Sequence, residues 1–322
     1  MKRWQADTAL LVTALLWGGA FVAQRDVEGV TPPLTFIAAR FAISAVALAP
    51  FAIFEARRAA APLDAKSLRL AVAIALAMFV GSALQQIGLA TTTATNGGFL
   101  TACYVALTPI AVWLLTGRRP RSIVALACAI ALAGAWLLAS GGGPAQPLAI
   151  GDLLIVLSDF AWAFAIASTP IFLARSGRPF ALAFVEYAIC AGLAAAAAPV
   201  FETVRAADLA AGLGPLLYAG LISGGVAFTL QIIGQRHTPA AEAALILCLE
   251  SVFAAVFGAL LLGERLTDIA AAGCALILAS VLMVEVGAPL WARLRGAAER
   301  RQAGPSDAAR SRMAAPVRVK LP

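Results

Sequence analysis

An all-α integral membrane protein, with ten transmembrane helices arranged as two inverted five-helix repeats, is the fold class this sequence predicts. Three observations carry it. The 322-residue chain is 61% hydrophobic and 13% charged, where soluble domains hold roughly 45–50% and 25%. Apolar runs of about 20 residues, enough to cross a bilayer at 1.5 Å per residue, recur along its length. Finally, the chain repeats itself. Leu84-Gln85-Gln86-Ile87-Gly88, Thr92, Ala94 and Leu114-Leu115-Thr116-Gly117 return 146 positions later as Leu230-Gln231-Ile232-Ile233-Gly234, Thr238, Ala240 and Leu260-Leu261-Leu262-Gly263. Pro33 falls on Pro179 and Arg40 on Glu186 at the same offset, and Trp17 falls on Trp162 at 145, which implies one inserted or deleted loop residue.

In chain order, the first span is expected at 8–24. Lys2 and Arg3 precede it as in a signal peptide, but Asp7, its length and the nine further spans favour a retained helix. The second, 34–54, starts at Pro32-Pro33 and stops at Arg57-Arg58. The third and fourth are expected at 69–89 and 95–116. Arg118-Arg119-Pro120-Arg121 separates the fourth from the fifth, 122–140, and Gly141-Gly142-Gly143-Pro144 closes the first repeat. The second repeat runs through 151–172, 181–201 after Gly177-Arg178-Pro179, 213–234, 240–262 after Pro239, and 268–287. The two repeats are thus 8–140 and 151–287. Residues 288–322 turn to Arg, Ala, Glu, Ser and Pro without apolar periodicity and are expected to form a disordered cytoplasmic tail.

Orientation follows from where Lys and Arg fall. With the N-terminus cytoplasmic, twenty of the 24 lie inside, and only Arg25, Arg205 and Arg265 lie outside, Arg40 being within a span. Five spans per repeat force the second copy to insert upside down. The loop charges agree: Arg118-Arg119-Pro120-Arg121 is basic, whereas its copy Glu264-Arg265-Leu266-Thr267-Asp268 leans acidic. Inverted repeats of this kind place substrate near the midplane at the repeat interface.

The residues resemble the drug/metabolite transporter superfamily, in particular its ten-helix proteins built of two EamA domains. The likeness rests on Leu15-Leu16-Trp17-Gly18-Gly19-Ala20-Phe21 in the first span, Pro33 with Arg40-Phe41 in the second, Thr108-Pro109 in the fourth, and Leu249-Glu250-Ser251-Val252-Phe253 with Leu262-Gly263-Glu264-Arg265 in the ninth. It covers residues 8 to 287. Arg118 stands where the family carries an acidic residue, and Ser251 where proline is common. The resemblance implies secondary transport by alternating access across a bacterial inner membrane. The Trp-rich, charge-poor interior looks most like the exporters of aromatic and neutral amino acids.

Ionisable residues inside spans cost at least ~2.5 kcal/mol on insertion scales and mark function by default. Arg40, Asp159, Glu186 and Glu250 are such residues. Arg40 suits a substrate carboxylate and Glu186 a cation or proton, although each lies within two turns of its helix start and could equally snorkel or pair structurally. Glu250 and Asp159 lie deeper, as polar linings or as partners of Ser and Thr. Gln85 and Gln231 are repeat mates whose amides need partners, from a watered cavity or a helix contact. Trp17 and Trp162 sit too deep for the interfacial belt, and with Phe21 they could stack on a flat substrate. Tyr104 and Tyr187 complete the cavity candidates. Gly220 and Gly224 read as a packing surface.

The composition also excludes. Five Cys lie inside apolar runs, where thiols behave as core residues, and the single His237 lies in a loop beside Arg236. With no HExxH run or Ser/His/Asp set, an integral membrane enzyme is disfavoured, and no metal or cofactor is expected. The basic residues form no stripe for nucleic acid. The expected partners are a small-molecule substrate and membrane lipid, and one chain holding both repeats suffices for a pathway. An exporter of amino acids or similar amphipathic metabolites is the leading reading, with a multidrug exporter of lipophilic cations as the alternative.

Overall fold

Backbone amides in a bilayer must bond within their own segment, and every described apolar run does so as helix. The computed structural model describes residues 1–27, 29–90, 100–140, 149–261 and 266–287, without the side chains of 21, 22, 25 and 26. The helices of the first half are α1 (Arg3–Val27), α2 (Pro33–Arg58), α3 (Ala65–Leu89), α4 (Tyr104–Thr116) and α5 (Ser122–Ser140). Those of the second are α6 (Ile150–Ser176), α7 (Pro179–Phe201), α8 (Leu213–Gln235), α9 (Ala240–Leu261) and α10 (Asp268–Gly287). Eight of the ten are long and apolar enough to cross a membrane, and α1 adds 25 residues. Large apolar side chains such as Val46, Leu114, Phe201 and Leu260 are more than 70% exposed, as lipid-facing residues are and as a soluble surface rarely allows. The loop 91–99, Gly141 to Pro144, Glu264 with its neighbours, and the tail 288–322 lie outside the described residues.

The local signals act as their chemistry dictates. Pro33 and Pro179 open α2 and α7 at the first helical position, where no amide hydrogen is missed. Gly117 (φ 71°) and Gly177 (φ 67°) end α4 and α6 in the left-handed conformation. Each of α2 and α7 also caps the other. Glu202, just past α7, accepts from the amides of Leu34 (2.6 Å) and Thr35 (2.8 Å) and from the Thr35 hydroxyl (2.9 Å). Glu55, near the end of α2, accepts from Phe180 (3.3 Å) and Ala181 (2.8 Å). Carboxylates at helix N-termini meet unbonded amides and the positive end of the dipole, so the two clasps tie α2 to α7 at both ends.

Exchanging the halves maps the helix contacts onto one another: α3–α6 onto α8–α1, α4–α6 onto α9–α1, and α2–α8 onto α7–α3, while α2–α7, α4–α9 and α5–α10 map onto themselves. The pseudo-two-fold extends to atoms. A Cβ on Gly88 of α3 would meet Gly151 O and Ile155 Cγ1 of α6, both at 2.8 Å, and one on Gly234 of α8 would meet Leu10 Cγ (2.8 Å) and Ala6 O (3.1 Å) of α1. Glycine lets these backbones touch. In α5 and α10, Gly134 and Gly273 face each other, and a Cβ on either would meet the other's carbonyl within 2.7 Å.

Four spans depart from plain helix, α10 through the π-helical turn Met283–Gly287 at its end. Tyr218–Phe228 of α8 is a π-helix. The carbonyls of Gly220, Ser223, Gly224 and Ala227 in this stretch accept from Ser44 (2.7 Å), Trp17 (3.3 Å), Tyr187 (2.8 Å) and Thr13 (3.0 Å) on three neighbouring helices. In α9 the α-helical run breaks at Cys248, and before α4 it breaks at the repeat-equivalent Ala102–Cys103. Broken helices near the midplane are where transporters build their sites.

Candidate functional site

Between the two larger of three apolar cores, one centred on α1, α4, α5, α9 and α10 and the other on α2, α3, α6 and α7, lies a cavity of about 580 Å³ counting its mouth. Its walls are Trp17, Ala20 and Gln24 from α1, Arg40 from α2, Gln85 from α3, Thr101 and Tyr104 around the α4 break, Trp162 and Ile166 from α6, Ser223, Phe228 and Gln231 from α8, and Glu250 from α9. The peripheral helices α5, α7 and α10 contribute nothing to it.

The cavity sits on the pseudo-two-fold axis. Trp17 and Trp162, and likewise Gln85 and Gln231, are repeat mates that both line it. Two further pairs at the 146 offset touch across the axis. The Tyr104 hydroxyl donates to Glu250 Oε1 (3.3 Å), each residue standing just past the break in its helix. Phe41 stacks on Tyr187 with ring centroids 5.9 Å apart. Phe228 gathers the aromatic floor, 4.5 Å from Trp17 and 5.9 Å from Trp162 between centroids. Its mate in the first half is Ser82, so this floor is built by one copy alone.

Polar groups on the walls are only partly matched. Gln85 donates to Thr101 (3.1 Å), and Gln231 donates to Gln235 (3.2 Å). Arg40 Nε, Trp162 Nε1 and Gln231 Oε1 are buried with no hydrogen-bond partner among the described residues. The Arg40 guanidinium lies over Phe41 at 4.5 Å and Phe36 at 5.6 Å, and no described carboxylate pairs with it. A cation desolvated against aromatic faces and free of a counter-ion is set to take an anionic group.

Seven of the residues singled out in the sequence therefore meet in one cavity: Trp17, Arg40, Gln85, Tyr104, Trp162, Gln231 and Glu250. Three do not line it. Glu186 (4% exposed) and Tyr187 (0%) are turned into the packing of α7, where the Tyr187 ring and hydroxyl are held by Phe41 and Gly224. Asp159 (0% exposed) is enclosed beside the cavity wall rather than on it. The Phe21 side chain lies outside the described residues. Sequence reasoning missed Phe228, Ser223, Gln24 and Thr101. The Gly-rich run 220–225 pointed at α8, but only as a packing surface.

The end of the molecule at the α1 N-terminus is tied shut. Arg3 pairs with Glu242 and with Glu285 (3.0 Å), Arg121 approaches Glu242 at 3.6 Å, and Thr238 donates to Asp7 (2.7 Å). These contacts join α1, α5, α9 and α10. The cavity instead reaches toward the end where α1 and α3 finish and α2 begins, through Gln24, Gln85 and Arg40.

The EamA-like transporter family matches this chain twice, over residues 4–140 and 149–286. An uncharacterized transporter of Archaeoglobus fulgidus is 32% identical over 267 residues, covering 81% of this chain and 80% of the relative. A solved structure, described as "Crystal structure of protein", superposes with a TM-score of 0.74 over 90% of this chain and 99% of its own at 18% identity. That last likeness is one of fold.

Proposed function

Because this chain belongs to the EamA-like transporter family, a family of membrane transporters and not of enzymes, we propose that its small-molecule substrate is an amino acid, aromatic or neutral, exported by alternating access. The observation that carries this is the unmatched polarity of an otherwise aromatic cavity. Arg40 takes the carboxylate, Glu250 with Tyr104 takes the ammonium, and the side chain lies against Trp17, Trp162 and Phe228. Gln231 Oε1 and Trp162 Nε1 supply one acceptor and one donor for the remaining polar atoms. Specificity for zwitterions follows because a molecule lacking either charge leaves a buried ion without a partner.

Residues 8–140 and 151–287 are the two rocking halves, in a bacterial inner membrane with both termini and the tail 288–322 cytoplasmic. In that orientation the Arg3 cluster closes the cytoplasmic side and the cavity faces outward. Lipophilic cations are the second reading, favoured by Glu250 beside aromatic rings and opposed by Arg40. Purified protein in liposomes, offered radiolabelled phenylalanine, leucine and lysine beside a lipophilic cation dye, tests both. Phenylalanine and leucine should cross well above empty vesicles. Dye transport without amino acid transport would overturn the amino acid reading.

A further inference from the structure

Among the described residues, Asp159 is the one carboxylate with both oxygens buried and unpartnered. It is wholly buried, and neither carboxylate oxygen has a hydrogen-bond partner among the described residues. An unpaired buried ion is costly, and a native chain that keeps one has a use for it. The ionisable groups close enough to act on it are Glu250 from α9, Tyr104 from α4 and Cys103 just before α4. α3, packed along α6, carries its only charges, Lys66 and Arg69, in its first turns, and α8 carries none. Glu250 faces Asp159, Tyr104 and Cys248. α5 is uncharged, while the charges of α10 and the described ones of α1 lie near the helix ends. Arg40, the cavity's cation, has Cys190 as its electrostatic neighbour.

The pair exists in one copy only. The repeat mates of Asp159 and Glu250 are Ala14 and Tyr104, so the first half holds no second carboxylate there. Glu250 borders the cavity, while Asp159 is sealed from it.

We infer that Asp159 and Glu250 together form the coupling site of the transporter, where one proton is taken up from one side of the membrane and released to the other in each cycle. A Glu250 oxygen takes the proton from a hydronium ion in the cavity; when side-chain motion brings the two carboxyls, which are not hydrogen-bonded here, within reach, that O–H bond breaks as one forms on Asp159, and the reverse returns the proton after the cavity has turned. A proton needs a single carboxyl oxygen. A metal cation needs a shell of oxygen ligands, which Asp159 lacks, and no cluster of three ligating side chains occurs among the described residues. The inference rests on the alternating-access reading, and it adds the driving ion.

The full chain in liposomes, with membrane potential clamped at zero and phenylalanine as probe, tests it under a pH gradient and, separately, a sodium gradient. A gradient of about one pH unit should give about tenfold accumulation, since one unit is worth about 1.4 kcal/mol per proton. The sodium gradient should give none. In Asp159→Asn the ratio of gradient-driven accumulation to equilibrium exchange should fall to that of vesicles without a gradient, with unchanged elution volume and Tm. Accumulation in Asp159→Asn equal to the parent, or accumulation driven by sodium, would overturn the inference. Infrared difference spectra between two pH values, recorded without substrate, keep the two proposals separate. A protonated-carboxyl band lost in Asp159→Asn supports the proton site even if phenylalanine never moves, and a band unaffected by the change refutes it even if phenylalanine does.

Discussion

The crossings of α3 on α6 and of α8 on α1 are the same contact made twice, whereas the centre they surround is not. At the crossings, Gly88 lies over Gly151 and Ile155 just as Gly234 lies over Ala6 and Leu10. At the centre, Tyr104 meets Glu250, Phe228 has only Ser82 as its counterpart, and Arg40 faces the cavity while Glu186 is buried in helix packing. So close an approach leaves no room for a side chain at Gly88 or Gly234, so the crossing kept its symmetry even though Gly151 and Ile155 stand opposite Ala6 and Leu10 in the two copies. Side chains around a cavity answer to a substrate, and an asymmetric molecule on a two-fold axis has different groups facing the two copies.

The scaffold half of this comparison breaks most readily at its glycines. Gly88→Val and Gly234→Val should each cost about 3 kcal/mol, since the added atoms run into the Gly151 carbonyl and Ile155 side chain in one crossing and into the Leu10 side chain and Ala6 carbonyl in the other. Thermal melting in detergent should show matched falls in Tm, and a silent change at either site would contradict the shared contact.

The divergent centre is sharpened by Arg40→Gln set beside Glu186→Gln. Losing a charge-assisted bond of about 2 kcal/mol should raise the phenylalanine KM about 30-fold in Arg40→Gln. In Glu186→Gln the KM should stay near the parent value; equal effects would mean that the two mates still act alike. Tyr104→Phe removes one hydrogen bond to Glu250 and should cost about 1 kcal/mol, read as about a fivefold loss in kcat/KM.

The smallest effects should come from the clasps. Glu55→Gln and Glu202→Gln keep an acceptor but lose the charge at a helix N-terminus, worth about 0.3–1 kcal/mol each. Glu202→Gln should give the larger fall in Tm, because Glu202 meets three donors and Glu55 two.

Much of the site was legible because the repeat is. Gln85 with Gln231 and Trp17 with Trp162 were paired by offset alone, and both pairs line the cavity. Arg40 and Glu250 stood out because charge is rare in spans. Phe228 did not, since one phenylalanine among 16 in an apolar chain carries no local signal. The π-helix of α8 was equally hidden. It is held by donors from Ser44, Trp17, Tyr187 and Thr13, all far away in sequence.

Hydrophobic length, proline, glycine and an odd span count act locally or by simple arithmetic, so the spans, their breakers, the duplication and its inversion could be read from the chain alone. Which face of each span turns inward is visible in three dimensions and not in the chain. Rotation about a helix axis is set by packing against neighbours, and in lipid an apolar helix has no wet side to fix it. That rotation separated Arg40 from Glu186, brought Tyr104 onto Glu250 across the axis, and enclosed Asp159 without a hydrogen-bond partner.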